Sequence, residues 1–409
     1  MGQAMVNESS KSGSRDFILF MAAVTLFSFS QSIFNTVFNN FLKETFNITS
    51  LQRGILELPR EMPGFLVVFV SALFFFTGSR RLASIANIFA AIGAAAIGLL
   101  STGFITMLGW LFIFSVGQHL MLPLNQSIGM EFAHHANAGR RLGRQTGAMN
   151  LAAIAGSLFM FIGFSWLGFS FPIAYLIAAC GFIAAALLFA GMAPGESGSL
   201  GQRLILRREY GLFYWLNILF GTRKQIFLTF APWVLIIVFK QKTEAIAILL
   251  FIGGIIGIGF NPLLGTAIDR LGERVVLMSE AALLIVVCAC YGFSRRVLPE
   301  TAALYLTSAC FILDQILMSV SMARATYLKK IAINPADVSP SLAMGTTIDH
   351  VFSIAIALGS SIIWDRLGYE YVFLLGAVIA GVNLVSASFI RTPPRYGTAP
   401  HIEVLPSED

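Results

Sequence analysis

Two adjacent cations, Arg223 and Lys224, stand about fourteen residues into an otherwise apolar stretch that begins near Glu209. At ~1.5 Å per helical residue they sit ~20 Å deep, near the middle of a bilayer if the stretch crosses one. Charge at that depth needs a counter-charge. A guanidinium fork beside an ammonium suits a carboxylate, so the pair reads as an anion clamp. The alternative is internal pairing with Glu57, Glu61, Asp314 or Asp349.

The acids offer proton chemistry. Glu57 and Glu61 are four apart and share a helical face, with Arg60 three residues from Glu57 and Pro59 and Pro63 alongside. The group reads as a proton-binding site, an outer gate built with Arg60, or an ion network that only braces helices. Asp314, followed by Gln315, lies far from either end of another apolar stretch. It is a proton acceptor or the partner of Arg223 or Lys224. His119 sits in a polar group with Gln118, Asn125 and Gln126, and is a proton carrier or an interhelical hydrogen-bonding residue. Ser28, Gln31, Asn35 and Asn39, spaced three or four apart, draw a polar stripe down one helix, suited to a watery cavity or to interhelical bonds. Gln31, Asn35, His119 and Gln315 are therefore expected to orient a substrate. Glu57, Glu61 and Asp314 are expected to couple protons.

Asp349 and His350 together suit a proton or a metal, and Asp349 is expected to act with Arg60 in gating. His119 is remote in sequence, and Cys180, Cys288, Cys290 and Cys310 lack zinc-ligand spacing, so no metal site is expected. His134 and His135 fall in a basic loop and read as solvated. Gly253, Gly254, Gly257 and Gly259 follow no strand and precede no Gly-Lys-Ser/Thr, so they suit close helix packing rather than a nucleotide. No cofactor is expected.

The elements that must position these residues are apolar and long. Hydrophobic residues make up 56% of the 409-residue chain and charged residues 12%, against about 25% charged in soluble domains. Twelve apolar stretches are read at about 17–42, 54–77, 82–101, 104–130, 144–165, 169–192, 209–238, 243–264, 275–293, 300–326, 343–364 and 369–391. Each is long enough for a helix to cross ~30 Å of hydrocarbon. With a cytoplasmic N-terminus, seventeen basic residues fall on the inside and seven, Arg53 among them, on the outside. That is the positive-inside bias, and it accounts for the net charge of +6 without a nucleic-acid partner. Both termini are thus expected to be cytoplasmic. Pro194–Arg208 is the longest polar break and divides the stretches six and six. The expected order is a cytoplasmic tail (1–16), a six-helix bundle (17–192), a linker (193–208), a second bundle (209–391) and a second tail (392–409).

Between the eighth and ninth stretches the segment Gly265-Thr-Ala-Ile-Asp269-Arg270-Leu-Gly272-Glu-Arg274 resembles the G-x-x-x-D-R-x-G-x-R loop of the major facilitator superfamily. Trp364–Val378 is similar to that superfamily's junction between spans 11 and 12. The loop between spans 2 and 3, Gly78-Ser79-Arg80-Arg81, departs from the family pattern by lacking the Asp. The resemblance, over residues 17–391, implies an all-α membrane protein of twelve transmembrane helices in two six-helix bundles, with spans 1, 4, 7 and 10 lining a central cavity. It implies that Gly265, Asp269, Arg270, Gly272 and Arg274 latch the cytoplasmic end, with the C-terminal half carrying most of that latch, and that the protein works as a monomer.

The expected function is secondary active transport by alternating access in the plasma (inner) membrane, coupling protons to a small organic anion. A proton-driven multidrug exporter of the same fold is the first alternative, though the Arg-Lys pair would repel cations. A membrane enzyme or non-transporting sensor is the second, and the sequence shows no clear nucleophile for it. No enzyme activity is expected.

Overall fold

The computed structural model describes residues 2–73, 78–132, 138–193, 205–334 and 337–391. Most of the linker, the tail from 392, the end of the second apolar stretch, and His134 and His135 lie outside the described residues. The described residues are helical throughout, with no strand: α1 (Gly2–Phe46), α2 (Ser50–Ile55), α3 (Glu57–Leu73), α4 (Ser79–Leu100), α5 (Phe104–Glu131), α6 (Ala138–Trp166), α7 (Phe171–Ala190), α8 (Gly211–Ile237), α9 (Thr243–Val297), α10 (Glu300–Leu317), α11 (Ser321–Ile331), α12 (Val338–Leu367) and α13 (Tyr369–Ser388). A 3-10 turn at Met318–Val320 joins α10 to α11.

Among the described residues, nine helices are long and apolar enough to cross a membrane. α9 counts once among them although it folds back on itself at Gly272, where φ is +83° and ψ 161°. Only glycine adopts that region without strain, so the residue that ends one arm and starts the next is fixed by its missing Cβ. α3 is described for 17 residues, and α8 is diluted by Arg223, Lys224 and Gln225. With these, helices fall on all twelve expected stretches.

Local sequence sets several boundaries. Thr49 and Gln52 form a reciprocal capping box that starts α2 right after α1 ends. Pro172 opens α7, where its missing N–H is harmless. Pro63, Pro123, Pro232 and Pro262 lie inside helices, tolerated because packed neighbours re-satisfy the freed backbone groups. α1 and α12 extend further toward the basic end than the apolar stretches suggest.

Aromatic packing fills each half. Phe34 stacks on Phe114 at 3.7 Å with Tyr175 edge-on, joining α1, α5 and α7. In the second half Tyr291 stacks on Phe373 at 4.5 Å, and Phe227 meets both, joining α8, α9 and α13. Glycine permits one especially close crossing: a Cβ at Gly221 on α8 would overlap the Asp349 carboxylate on α12.

The two ends differ in what they tie together. At the basic end, contacts stay within a half. Arg80 binds Asp16 (2.7 Å), Glu131 (3.4 Å) and the carbonyl of Ala193 (2.7 Å), and Ser79 donates to Glu131. The first half therefore supplies from α1 and α5 the acid that its own inter-helix loop lacks. In the second half Lys330 pairs with Glu273 (2.6 Å), while Arg207 and Tyr210 hold Asp337 (3.0 and 2.8 Å). At the opposite end the halves are stitched to each other. Asn40 donates to the Gln241 carbonyl (3.1 Å), Trp233 to Ser50 (3.2 Å) and Thr229 to Glu57 (3.2 Å). We call this end the seam.

Candidate functional site

Between the halves lies a cavity of about 460 Å3. α1 contributes Ser28, Gln31, Ser32 and Asn35, α6 contributes Asn150 and Ser157, α9 contributes Gly253, Gly254, Gly257 and Asn261, and α10 contributes Gln315. The polar lining is neutral: amides and hydroxyls on a largely aliphatic and glycine wall. Ser32 donates to the Ala153 carbonyl at 2.6 Å, which pins α1 to α6. Gln31 donates to Asn35 at 3.3 Å, but its Oε1 is buried without a partner, as is Oδ1 of Asn261. A buried acceptor left unmade is costly, so these oxygens are ready for a donor brought by a ligand.

Of the expected substrate residues, the structure brings Gln31, Asn35 and Gln315 together on this cavity. It places Arg223, Lys224 and His119 elsewhere. Arg223 is 2% exposed and donates to Asp314, with Glu280 at 3.9 Å and the rings of Phe220 and Phe227 within 6 Å. Glu280 in turn pairs with Arg324 at 3.2 Å. Two guanidiniums and two carboxylates thus close a balanced network inside the second half. Its cost of burial is offset by mutual pairing. Lys224, pointing to another side of α8, pairs with Asp349 at 2.5 Å. Asp349 also accepts from Ser353.

Glu57 and Glu61 divide their roles. Glu57 is fully buried and accepts from Arg53, from Arg60 (3.2 Å) and from Thr229 across the seam. Arg53, expected in an outer loop, is instead fully buried on α2, where Asn39 accepts from its Nε at 3.0 Å. The far end of the α1 polar stripe therefore serves this arginine and not the cavity. Glu61 points to the second half and meets Nδ1 of His350 at 2.8 Å. His119 and His350, remote in sequence, have ring centroids 5.0 Å apart. Helix α12 begins at Val338, so His350 stands about 18 Å along it, deeper than the expected start near residue 343 implied.

In the Gly265–Arg274 segment the helix runs on to the turn at Gly272. Asp269, Arg270 and Arg274 are exposed, and the buried acid there is Glu273, held by Lys330. The polar bonds joining the halves among the described residues gather at the seam and at Glu61–His350, so the latch segment stands apart from the first half.

Sequence reasoning missed Asn150, Asn261, Glu280 and Arg53. Glu280 had a signal, being a lone carboxylate in the apolar run around residues 275–293. The cavity asparagines had none beyond polarity, since which face of a helix meets the other half is set by packing.

The family model described as Major Facilitator Superfamily matches residues 20–332. No curated protein sequence matches the chain. Among solved structures, the nucleoside transporter NupG is similar at 14% identity with a TM-score of 0.72, covering 91% of this chain and 98% of that one. A POT family transporter in complex with a thioalcohol-conjugated peptide is similar at 11% identity and a TM-score of 0.73, covering 91% and 95%. The xylose transporter XylE from E. coli, in a partially occluded inward-open conformation, is similar at 13% identity and a TM-score of 0.66, covering 95% and 100%. At such identities the likeness is one of fold.

Proposed function

This chain belongs to the Major Facilitator Superfamily, and from that premise we propose that it is a secondary transporter of a small, neutral, polyhydroxylated or amide-bearing solute, driven by protons across the plasma (inner) membrane. The observation that carries the solute class is the cavity lining. Amides and hydroxyls from both halves face one space, and two of their carbonyl oxygens lack a donor. A sugar-like or nucleoside-like solute brings several donors. A carboxylate brings none, and the cations that would clamp it are engaged with Asp314 and Asp349. The solutes named for NupG and XylE are of the same kind. Gln31, Asn35, Asn150, Asn261 and Gln315 are the contacts we assign.

The two halves rock about this space, exposing it to each side in turn. Closure at the seam with the latch segment apart at the basic end supports an inward-facing state. For proton coupling we assign Asp314. A proton there cancels one of the two negative charges facing Arg223, which moves toward Glu280, and the shift reaches the cavity through the neighbouring Gln315. For the solute to profit, proton and solute must each favour the same closed state.

The test is thermal stability of the detergent-purified protein against nucleosides, pentoses, polyols, mono- and dicarboxylates and cationic drugs. A ligand that binds only the folded state raises the melting temperature by mass action. A shift with neutral polyhydroxylated solutes that is lost in Gln315→Ala is expected. A shift only with carboxylates, lost in Arg223→Ala, would return the site to the anion clamp. A shift only with cationic drugs would point to the exporter.

A further inference from the structure

We infer that Glu61, His119 and His350 form a binding site for a divalent transition-metal ion of the zinc class, assembled only when the two halves are closed against each other. Their candidate ligand atoms all lie within 4.8 Å of one another. Two imidazoles and one carboxylate are a common zinc set, with a fourth position left open to water.

Three features prepare the site. The first is the tautomer of His119. The hydroxyl of Ser115 donates to the Arg60 carbonyl. That leaves the Ser115 Oγ and carbonyl oxygen as acceptors, 3.0 and 2.9 Å from Nδ1 of His119. Nδ1 therefore carries the proton, and Nε2 is a bare lone pair. A ring held through its other nitrogen by a carbonyl is the usual support of a metal-bound histidine. The second is space. Gly64, one helical turn beyond Glu61, lies beneath both rings, and a Cβ there would stand 2.8 Å from His119 Nε2 and 2.7 Å from His350 Cε1. The missing side chain lets the imidazoles converge. The third is charge. Arg60, the nearest cation on α3, is engaged with Glu57 at 3.2 Å, and Lys224 with Asp349, so Glu61 is left to the histidines.

Glu61 and His119 belong to the first half and His350 to the second. An ion held by all three bridges the halves, stabilises the seam-closed state over any state in which the halves have parted here, and slows alternation. Binding itself does not depend on which solute is carried, so the site can stand if the solute assignment falls.

The experiment uses full-length protein purified without a polyhistidine tag and stripped with a chelator, titrated with zinc ion alone and, as control, magnesium. Expected are one tightly bound zinc per chain, a raised melting temperature with zinc and none with magnesium. In His350→Asn, zinc binding weakens by about tenfold or more. Unaltered zinc binding in that variant, or no bound zinc in the wild type, overturns the proposal. Should His350→Asn fail to fold, His119→Asn tests the same site from the other half. X-ray absorption of the zinc-loaded wild type gives a variant-free answer. A shell of nitrogen and oxygen with imidazole scattering is expected, and sulfur ligands, which would place the ion on Cys290 and Cys310, refute the site.

Discussion

Replacing Arg223 by Met and Asp314 by Leu, singly and together, tests the balanced network in the second half. Breaking one partner of a buried pair costs about 3–5 kcal/mol, because the other charge is left uncompensated. The structure makes the two losses unequal. Without Asp314, Arg223 still has Glu280 at 3.9 Å and two aromatic faces. Without Arg223, Asp314 keeps no cation among the described residues, while Glu280 still has Arg324 at 3.2 Å. Arg223→Met is therefore expected near the upper end, about 5 kcal/mol, and Asp314→Leu near the lower, about 3 kcal/mol. In the double variant the remaining charges, Glu280 and Arg324, balance, so its loss is expected to be smaller than that of Arg223→Met alone. The assay is denaturant unfolding in mixed micelles, comparing all four proteins at one detergent composition. A double variant that loses the sum of the singles, about 8 kcal/mol by that estimate, would mean the two side chains act independently. The pairing, and with it the reason for keeping Arg223 out of the cavity, would then fail.

Two glycines give sharper steric tests. Gly221→Ala puts a Cβ into the Asp349 carboxylate and is expected to separate Lys224 from Asp349, costing about 1–3 kcal/mol as overpacking, read as a lowered melting temperature. Gly272→Ala forces a side chain into a backbone region open essentially to glycine. It is expected to destabilise by about 1–3 kcal/mol with no loss of solute binding, since Gly272 lies off the cavity, and a solute-induced melting shift measured in the variant checks both halves of that statement.

The helices were legible because hydrocarbon admits little else, and the apolar runs mark them one by one. The polar residues inside them were legible as costly exceptions for the same reason. What sequence could not show is which exceptions satisfy each other. Arg223 and Asp314 are 91 positions apart, and Glu61 and His350 are 289 apart. Helical spacing says which residues share a face of one helix, and nothing of which face meets which. Arg53 illustrates the limit. Beside an expected loop it reads as a solvated charge, yet a one-turn helix capped by Thr49 folds it inward onto Glu57 and Asn39. The amide stripe on α1 was read correctly as polar along its length, and only packing reveals that it divides between a cavity and an arginine.

The linker joins two anchored points. Ala193 is tied to Arg80 and Asp16 in the first half, and Arg207 is tied to Asp337 in the second. Fourteen peptide units lie between those anchors, a contour of roughly 46–50 Å at full extension. A slack leash of that length exerts almost no tension over the modest stroke of a rocking bundle. It keeps the partners at a high mutual concentration without acting as a strut or a spring, so the stroke is governed by the contacts at the seam and not by the tether. Such a joint tolerates lengthening, and the two halves carry the mechanical cycle in their own side chains.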